Sequence, residues 1–322
     1  MKYQPLVSII IPLYNGSNFI RQSIESALNQ VYKNIEIIVV NDGSTDNGAG
    51  EKIVLEYQDR IKYFFKPNGG VSSALNLGIA NMQGEWFSWL SHDDLYYPQK
   101  ISAQVDFLND LILEKNIDDL NNLVLFCHSE LINDQGNVIL QRRSLMDESD
   151  GTTQIVLKNL RRNGLNGCTF LIPKEAFRNL GSFNESLRTT QDYEFWYKLL
   201  FANYHFIYDS TVLVKTRKHN AQTTHSHSNI MHLESDRLYS WIGDQFLKTD
   251  EFNNKETFWY LGKCALERNY KNAASKSIAT AKTMTHPLIY LFKYAITYSE
   301  CLIHRFLRRI VKQLFKYVYL NQ

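Results

Sequence analysis

Apolar residues in the first hundred positions switch repeatedly between two periods, and few folds accept such a pattern. "VSIII" (7–11), "IEIIVV" (35–40), "IKYFF" (61–65) and "EWFSWL" (85–90) are short runs rich in β-branched and aromatic residues. Such runs suit strands covered on both faces. Between them the period changes. After the turn "NGSN", "FIRQSIESALNQ" places Ile20, Ile24, Ala27 and Leu28 on one helical stripe. "NDGSTD" turns the chain after the second run, with Asp46 suited to cap a helix starting near Asn47. "NGGVSSALNLGIANM" is a glycine turn followed by a helix. Strand and helix in alternation imply βαβ units, hence an α/β fold with a mainly parallel twisted sheet flanked by helices.

Beyond residue 100 the pattern loosens. A helix over about 98–113 leads to "LVLFCHSELI", a strand, with "NDQGNVIL" as the far arm of a hairpin. "NGLNGCTFLIPKEAF" reads as turn, short strand and helix. "TTQDYEFWYKLLFA" is a helix with Phe195, Leu199 and Leu200 on its apolar side. "YHFIYDSTVLVKTRKHNAQTTHSH" reads as strand, turn, strand and a His-rich loop, and residues from about 228 onward read as helical. The expected organisation is a domain over 1–225, with halves 1–100 and 101–225, followed by a helical region over 226–322.

With 322 residues, 44% of them hydrophobic, the chain can bury a sizeable core. A net charge of +2 implies no whole-protein affinity for nucleic acid. Cys127, Cys168, Cys264 and Cys301 form no CxxC pair, so they are expected as buried free thiols in a reducing compartment. The first residues carry no apolar leader, and no run approaches about 18 apolar residues. A cytoplasmic protein is therefore expected.

In open α/β sheets, ligands bind beyond the carboxyl ends of the strands. Those ends carry Pro12, Tyr14 and Asn15, then Asn41, Asp42 and Gly43, then Asn68 and Gly69, then His92, Asp93 and Asp94. Adjacent carboxylates repel. A divalent cation compensates Asp93 and Asp94, and so does capping of the helix that starts near Pro98. Asp42 reads either as a ligand contact or as turn chemistry. Asp192 reads either as a general base held on a helix start or as a residue complementing the helix dipole. His219, His225 and His227 are either a metal cluster or solvated loop residues. His92 has three readings: a hydrogen-bond partner of an aspartate, a ligand contact, or an exposed ring. Trp86 is expected in the core, with Trp89 and Trp196 open between core packing and stacking on a ligand.

Taken together, "VSIIIPLYNGSNFIRQSIESALNQVYKNIEIIVVNDGSTD", "NGGVSSALNLGIANMQGEWFSWLSHDDLYYPQKI", "TTQDYEFWYKLL" and "TRKHNAQTT" resemble family 2 glycosyltransferases in order and spacing over about residues 5–225. The resemblance implies the GT-A fold and inverting transfer of a sugar from a nucleotide sugar with Mg²⁺ or Mn²⁺. It implies that Pro12, Tyr14 and Asn15 line the nucleotide pocket, and that Asp42 bonds the base, commonly uracil. Asn68 and the helix from Val71 would approach ribose or phosphate. Asp93 would take the last place of an Asp-x-Asp metal triplet, with Asp94 beside it. Asp192 would be the catalytic base, and His219 would lie near the diphosphate or metal. Three positions depart from the pattern. Ser91 replaces the triplet's first aspartate, Gln191 replaces the acidic neighbour of the base, and Leu75 stands where many relatives carry arginine. The Gln-x-x-Arg-Trp motif of processive synthases is absent, which favours single additions. The implied partners are a nucleotide-sugar donor, expected to be UDP-linked, and a glycan or lipid-linked acceptor of cell-surface polysaccharide or glycolipid assembly.

Over 287–322, Lys293, Arg305, Arg308, Arg309, Lys312 and Lys316 face one acidic residue, Glu300. Apolar residues interleave them on a helical stripe. That pattern reads as a helix on an anionic membrane surface, or as one packed on its own domain or in a homo-oligomer. A nucleotidyltransferase or dehydrogenase on a similar sheet is the rival enzyme class, but neither GxGxxG after the first strand nor GxxxxGK[ST] occurs. A nucleotide-sugar-binding module that has lost catalysis is the non-enzyme alternative, kept open by Ser91.

Overall fold

The computed structural model describes residues 2–115, 119–140, 146–162, 164–219, 228–285 and 293–303. The chain divides into two compact units, residues 1–226 and 227–322.

In the first unit, the four predicted runs are β1 (Val7–Leu13), β2 (Ile35–Asp42), β3 (Lys62–Lys66) and β4 (Trp86–Trp89). β1 is buried at every position, with β2 parallel on one side and β4 parallel on the other. Its five aliphatic side chains are fully enclosed, each contributing roughly 1.5–3 kcal/mol by leaving water. Connecting helices α1 (Ile20–Leu28), α2 (Ala49–Leu55) and α3 (Val71–Asn81) follow β1, β2 and β3. Ile20, Ile24 and Ala27 are buried on α1, and Leu28 is partly buried against the same core. Asp46 Oδ2 accepts the Gly50 N–H at 2.9 Å, holding the first turn of α2. Because β1 to β4 run in one direction, their carboxyl ends share one edge.

The second half of the sheet is mixed. The remaining strands are β5 (Leu95–Tyr96), β6 (Leu123–Ile132), β7 (Val138–Leu140), β8 (Phe170–Pro173) and β9 (His205–Arg217). The full order is β3-β2-β1-β4-β8-β6-β9-β5, with β7 completing the predicted hairpin on β6. β8 lies antiparallel to both β4 and β6, whereas β6 and β9 are parallel. β5 pairs antiparallel with β9, Leu95 opposite Lys215. The chain therefore leaves the centre of the sheet at Trp89 and rejoins it at the far edge within six residues. The segment 91–94 spans that gap.

Over 204–217 the structure departs from the strand, turn and strand expected from the sequence. The segment is a single strand. Cys127 pairs with Asp209 and His128 with Val212, so Ser210 and Thr211 bulge out of the ladder. Their polar groups are satisfied locally: Thr211 N–H donates to Asp209 Oδ1 at 2.8 Å, and Ser210 Oγ to Glu148 Oε1 at 2.6 Å. A polar triplet inside an apolar run has the same signature whether it turns or bulges.

Helices α4 (Lys100–Lys115), α5 (Thr152–Arg162), α6 (Lys174–Leu180) and α7 (Gln191–Phe201) complete this unit. Phe195, Leu199 and Leu200 of α7 are buried as expected. Trp86, Trp89 and Trp196 are all core residues, Trp196 stacking on Phe170 at 4.3 Å.

The second unit has α8 (Ser228–Phe246), α9 (Lys255–Arg268), α10 (Lys271–Thr283) and a helical run over 293–303, with no strand among the described residues. Asn254 caps α9 by accepting Thr257 N–H at 3.0 Å. Asp236 reaches from α8 to accept the Ala273 N–H at 2.8 Å, closing the start of α10. All four cysteines are buried and unbonded to one another. Among the described residues no helix is long and apolar enough to cross a membrane.

Candidate active site

The loops after β1 and β2 are laced together by Asn15. Its backbone adopts a left-handed φ of 49°, a conformation asparagine tolerates better than most residues. That geometry lets Oδ1 accept Thr45 N–H at 2.7 Å while its own N–H donates to Ser44 Oγ at 3.0 Å. Tyr14, beside it, presents a 44%-exposed ring. Pro12 does not join them: β1 runs to Leu13, two residues further than the "VSIII" run indicated, so Pro12 is buried opposite Val40. Its missing N–H is tolerated there because β4 pairs with β1 only as far as Ile10.

Asp42, at the end of β2, is 3% exposed. Its Oδ1 accepts Lys66 Nζ at 2.7 Å and Gly69 N–H at 2.9 Å, and its Oδ2 accepts Gly70 N–H at 2.8 Å. Asn68 Nδ2 donates to the Asp42 carbonyl at 2.9 Å. One carboxylate thus shapes the whole turn that follows β3. A carboxylate has about four lone-pair sites, so Oδ2 keeps capacity for one further donor. Gly70, at φ 92°, occupies a backbone region closed to other residues, and a Cβ there would meet Arg188 at 2.8 Å. Arg188 in turn donates to the Gly69 carbonyl at 3.2 Å. It joins the β3 turn to the loop that delivers α7 and Asp192.

After β4 the chain turns through Ser91, His92, Asp93 and Asp94. His92 packs against Gly16, where a Cβ would lie 2.3 Å from its ring, and its carbonyl accepts Ser23 Oγ at 2.7 Å. The two aspartates point apart. Asp93 Oδ2 lies 2.9 Å from His219 Nε2, both side chains keeping a small exposed fraction. Asp94 turns inward. Its Oδ1 accepts the Arg217 backbone N–H at 2.8 Å, and its Oδ2 lies 3.3 Å from Cys168 Sγ. Burial, with the Asp93 charge next in weight, pushes Asp94 up to about 8. Neither aspartate caps the following helix, so the two carboxylates the sequence reads as one pair serve different purposes. Asp94 has both oxygens engaged inside the protein. Ser91 belongs to the same interior knot, its N–H donating to Cys168 Sγ at 3.3 Å.

Arg217 ties this turn to the rest of the unit. It is fully buried at the end of β9. Its Nε donates to the Asp93 carbonyl at 2.9 Å, its Nη1 to the carbonyls of Asn133 and Asp134 at 2.9 and 2.7 Å, and its Nη2 to Gln22 Oε1 at 2.7 Å. The guanidinium lies 4.6 Å from the centre of the Phe19 ring, and Phe19 also packs on His219 at 4.9 Å. Sequence reasoning singled out His219 and passed over Arg217. The signal was the Arg-x-His spacing of "RKH", in which Arg217 closes β9 and His219 follows just outside it. Cys168 left no comparable signal.

Asp192 stands in the first turn of α7. Burial pushes its carboxyl up to about 6, opposed by the Tyr193 N–H donating to Oδ1 at 2.9 Å. Such a value suits a group that takes a proton near neutral pH. Beside it, Gln191 is 5% exposed, and its Oε1 has no hydrogen-bond partner among the described residues.

In donor type the Asp93 carboxylate fits Mg²⁺ or Mn²⁺, and the His219 imidazole suits the more borderline Mn²⁺ better than Mg²⁺. A carboxylate oxygen and an imidazole nitrogen are both ligands, and Mg²⁺-type ions commonly take few protein groups and complete their shell with phosphate and water. Among the described residues no group of three or more His, Cys, Asp or Glu side chains converges on one point. Two protein ligands suit an ion shared with a diphosphate. His225 and His227 lie outside the described residues.

Comparison with known proteins gives the family and the fold. Residues 8–111 match the model of glycosyl transferase family 2. An uncharacterized glycosyltransferase of Rickettsia typhi is 44% identical over 284 residues, covering 88% of this chain and 86% of that protein. One from Rickettsia conorii is 49% identical over 228 residues, 70% of this chain but 36% of that protein, so the chain spans about a third of that relative's length. Among solved structures, S. aureus TarS 1–349 in complex with UDP-GlcNAc superposes with a TM-score of 0.65 at 17% identity, covering 94% of this chain and 91% of that one. The fold is that of the GT-A glycosyltransferases.

Proposed function

This chain belongs to glycosyl transferase family 2, and on that premise we propose that it transfers one sugar at a time, with inversion, from a UDP-type nucleotide sugar to a glycan or lipid-linked acceptor. The observation that carries the reading is the contact of Asp93 with His219 across 126 residues of chain, at the sheet edge where the β1, β2 and β3 loops meet. In this reading the carboxylate and the imidazole together offer two ligands to a dication that would offset the charge of a leaving diphosphate.

In this reading Tyr14 and Asn15 border the nucleotide, and the spare capacity of Asp42 Oδ2 meets an imide N–H of the base. Asn68 and the start of α3 lie toward the ribose. Asp93 and His219 would hold Mg²⁺ or Mn²⁺, which would supply the positive charge that offsets the leaving group. Asp94 acts behind them, fixing the turn through Arg217. Asp192 takes the proton of the attacking acceptor hydroxyl, opposite the departing diphosphate as inversion requires. Gln191 Oε1 offers a neutral acceptor for a second hydroxyl of the incoming sugar, where the family usually carries a charge.

Release of nucleoside diphosphate from a panel of UDP-, GDP- and dTDP-sugars, with and without Mn²⁺, tests the proposal. A single donor turned over, and a loss of turnover without loss of donor binding in Asp192→Asn, is the expected result. A donor bound but never cleaved under any of these conditions would favour the binding-module alternative.

A further inference from the structure

The helical run 293–303 is packed inside out. The side it turns to α9 is polar: Thr297 and Cys301 are the buried residues, Trp259 Nε1 donates to Thr297 Oγ1 at 3.0 Å, and Cys301 Sγ lies 3.7 Å from the Lys263 carbonyl. Its only two charged residues are held in ion pairs with α9, Lys293 with Glu256 at 2.9 Å and Glu300 with Lys263 at 2.6 Å. The outward arc carries Tyr294, Ile296, Tyr298, Leu302 and Ile303, which are 38–61% exposed. At 100° per residue, those five side chains span an arc with Ala295 and Ser299 between them and no formal charge. An amphipathic helix on its own domain points its apolar side inward. This one points it outward.

We infer that this face is a docking surface for an anionic lipid bilayer. Two observations select a membrane over a second copy of the chain. The first is charge: residues 304–322 contain Arg305, Arg308, Arg309, Lys312 and Lys316 and no aspartate or glutamate. An anionic headgroup layer complements charge of that sign, whereas a second copy of the chain carries the same sign. The second is residue type. Tyr294 and Tyr298 stack at 6.0 Å, and tyrosine favours the boundary between headgroups and acyl chains, with Ile and Leu beneath it. The inference does not depend on the transferase reading, because it concerns the second unit and is measured without donor or acceptor.

The test is co-sedimentation of the full chain with extruded vesicles of pure phosphatidylcholine or of phosphatidylcholine with 30% phosphatidylglycerol, at low and high salt. The wild type should partition onto the anionic vesicles, at least tenfold more than onto neutral ones, and release as salt rises. The double substitution Ile296→Glu, Ile303→Glu alters exposed positions only, and thermal unfolding of both proteins checks that the fold is kept. It should cut partition by tenfold or more with an unchanged melting profile. Equal partition of the two proteins, or no wild-type preference for anionic vesicles, overturns the inference. So does a wild-type dimer in sedimentation velocity that the double substitution converts to monomer, since the face would then be a contact between copies.

Discussion

Asp192→Asn separates what the proposed base costs the fold from what it does in the reaction. Burial lifts the carboxyl from 3.8 to about 6, so folding favours its protonated form. The sign follows from linkage. With the native value above the unfolded one, stability falls as pH rises between the two values, and the whole penalty is present above about 6. A shift of a little over two units corresponds to about 3 kcal/mol. Asparagine has nearly the same shape, carries no charge to desolvate, and its amide oxygen can still accept the Tyr193 N–H. The variant should therefore be more stable than wild type at pH 8 by about 1–3 kcal/mol, and the difference should shrink by about half at pH 5, where most of the native carboxyl is protonated. Urea unfolding at the two pH values, followed by tryptophan fluorescence, reads this directly. In the same preparations nucleoside diphosphate release should fall by about 10²–10⁴, because an amide cannot take the proton. A variant less stable than wild type at pH 8 would make Asp192 a structural carboxylate, and unchanged turnover would remove it from the chemistry.

Other outcomes follow from the same geometry. For the wild type, kcat/KM for the donor should fall tenfold per pH unit below about 6 and level off above it, as Asp192 must be ionised to act; a flat profile from pH 5 to 8 would contradict this. Asp93→Ala and His219→Ala should weaken Mn²⁺ binding in the presence of UDP, read by electron paramagnetic resonance, with little change in urea midpoint. Asp94→Ala should do the reverse, destabilising the first unit by about 1–3 kcal/mol as the Arg217 N–H loses its acceptor. Asp42→Ala leaves Gly69 N–H, Gly70 N–H and Lys66 without their shared acceptor. It should cost about 2–4 kcal/mol in urea unfolding, more than a residue that only touches ligand.

The parallel half of the sheet was legible because β1 to β4 are buried on both faces and the helices between them carry 3.6-residue stripes. The period alone therefore located each element to within a few residues. The mixed half was harder to read. β5 has two residues, too few for any period, and the bulge at Ser210 and Thr211 imitates a turn. At the site, strand-end position picked out Asn15, Asp42, Asn68 and Asp93. It could not tell which of two adjacent aspartates faces outward, because that depends on Arg217, 123 residues away from Asp94 along the chain. Nor could it show that Asp42 organises the β3 turn, since two of its three partners are backbone N–H groups that no side-chain pattern records.

The reach of Arg217 has a consequence for synthesis of the chain. One guanidinium and its own N–H gather groups from positions 22, 93, 94, 133 and 134, the most distant 195 residues earlier. A nascent polypeptide can form the central parallel strands long before β9 has emerged, yet the 91–94 turn lacks its anchor until then. Completion of this rim should thus come among the last steps of the unit's folding, so that a ribosome-bound fragment stopped short of residue 217 would hold a folded sheet edge whose 91–94 turn is unanchored.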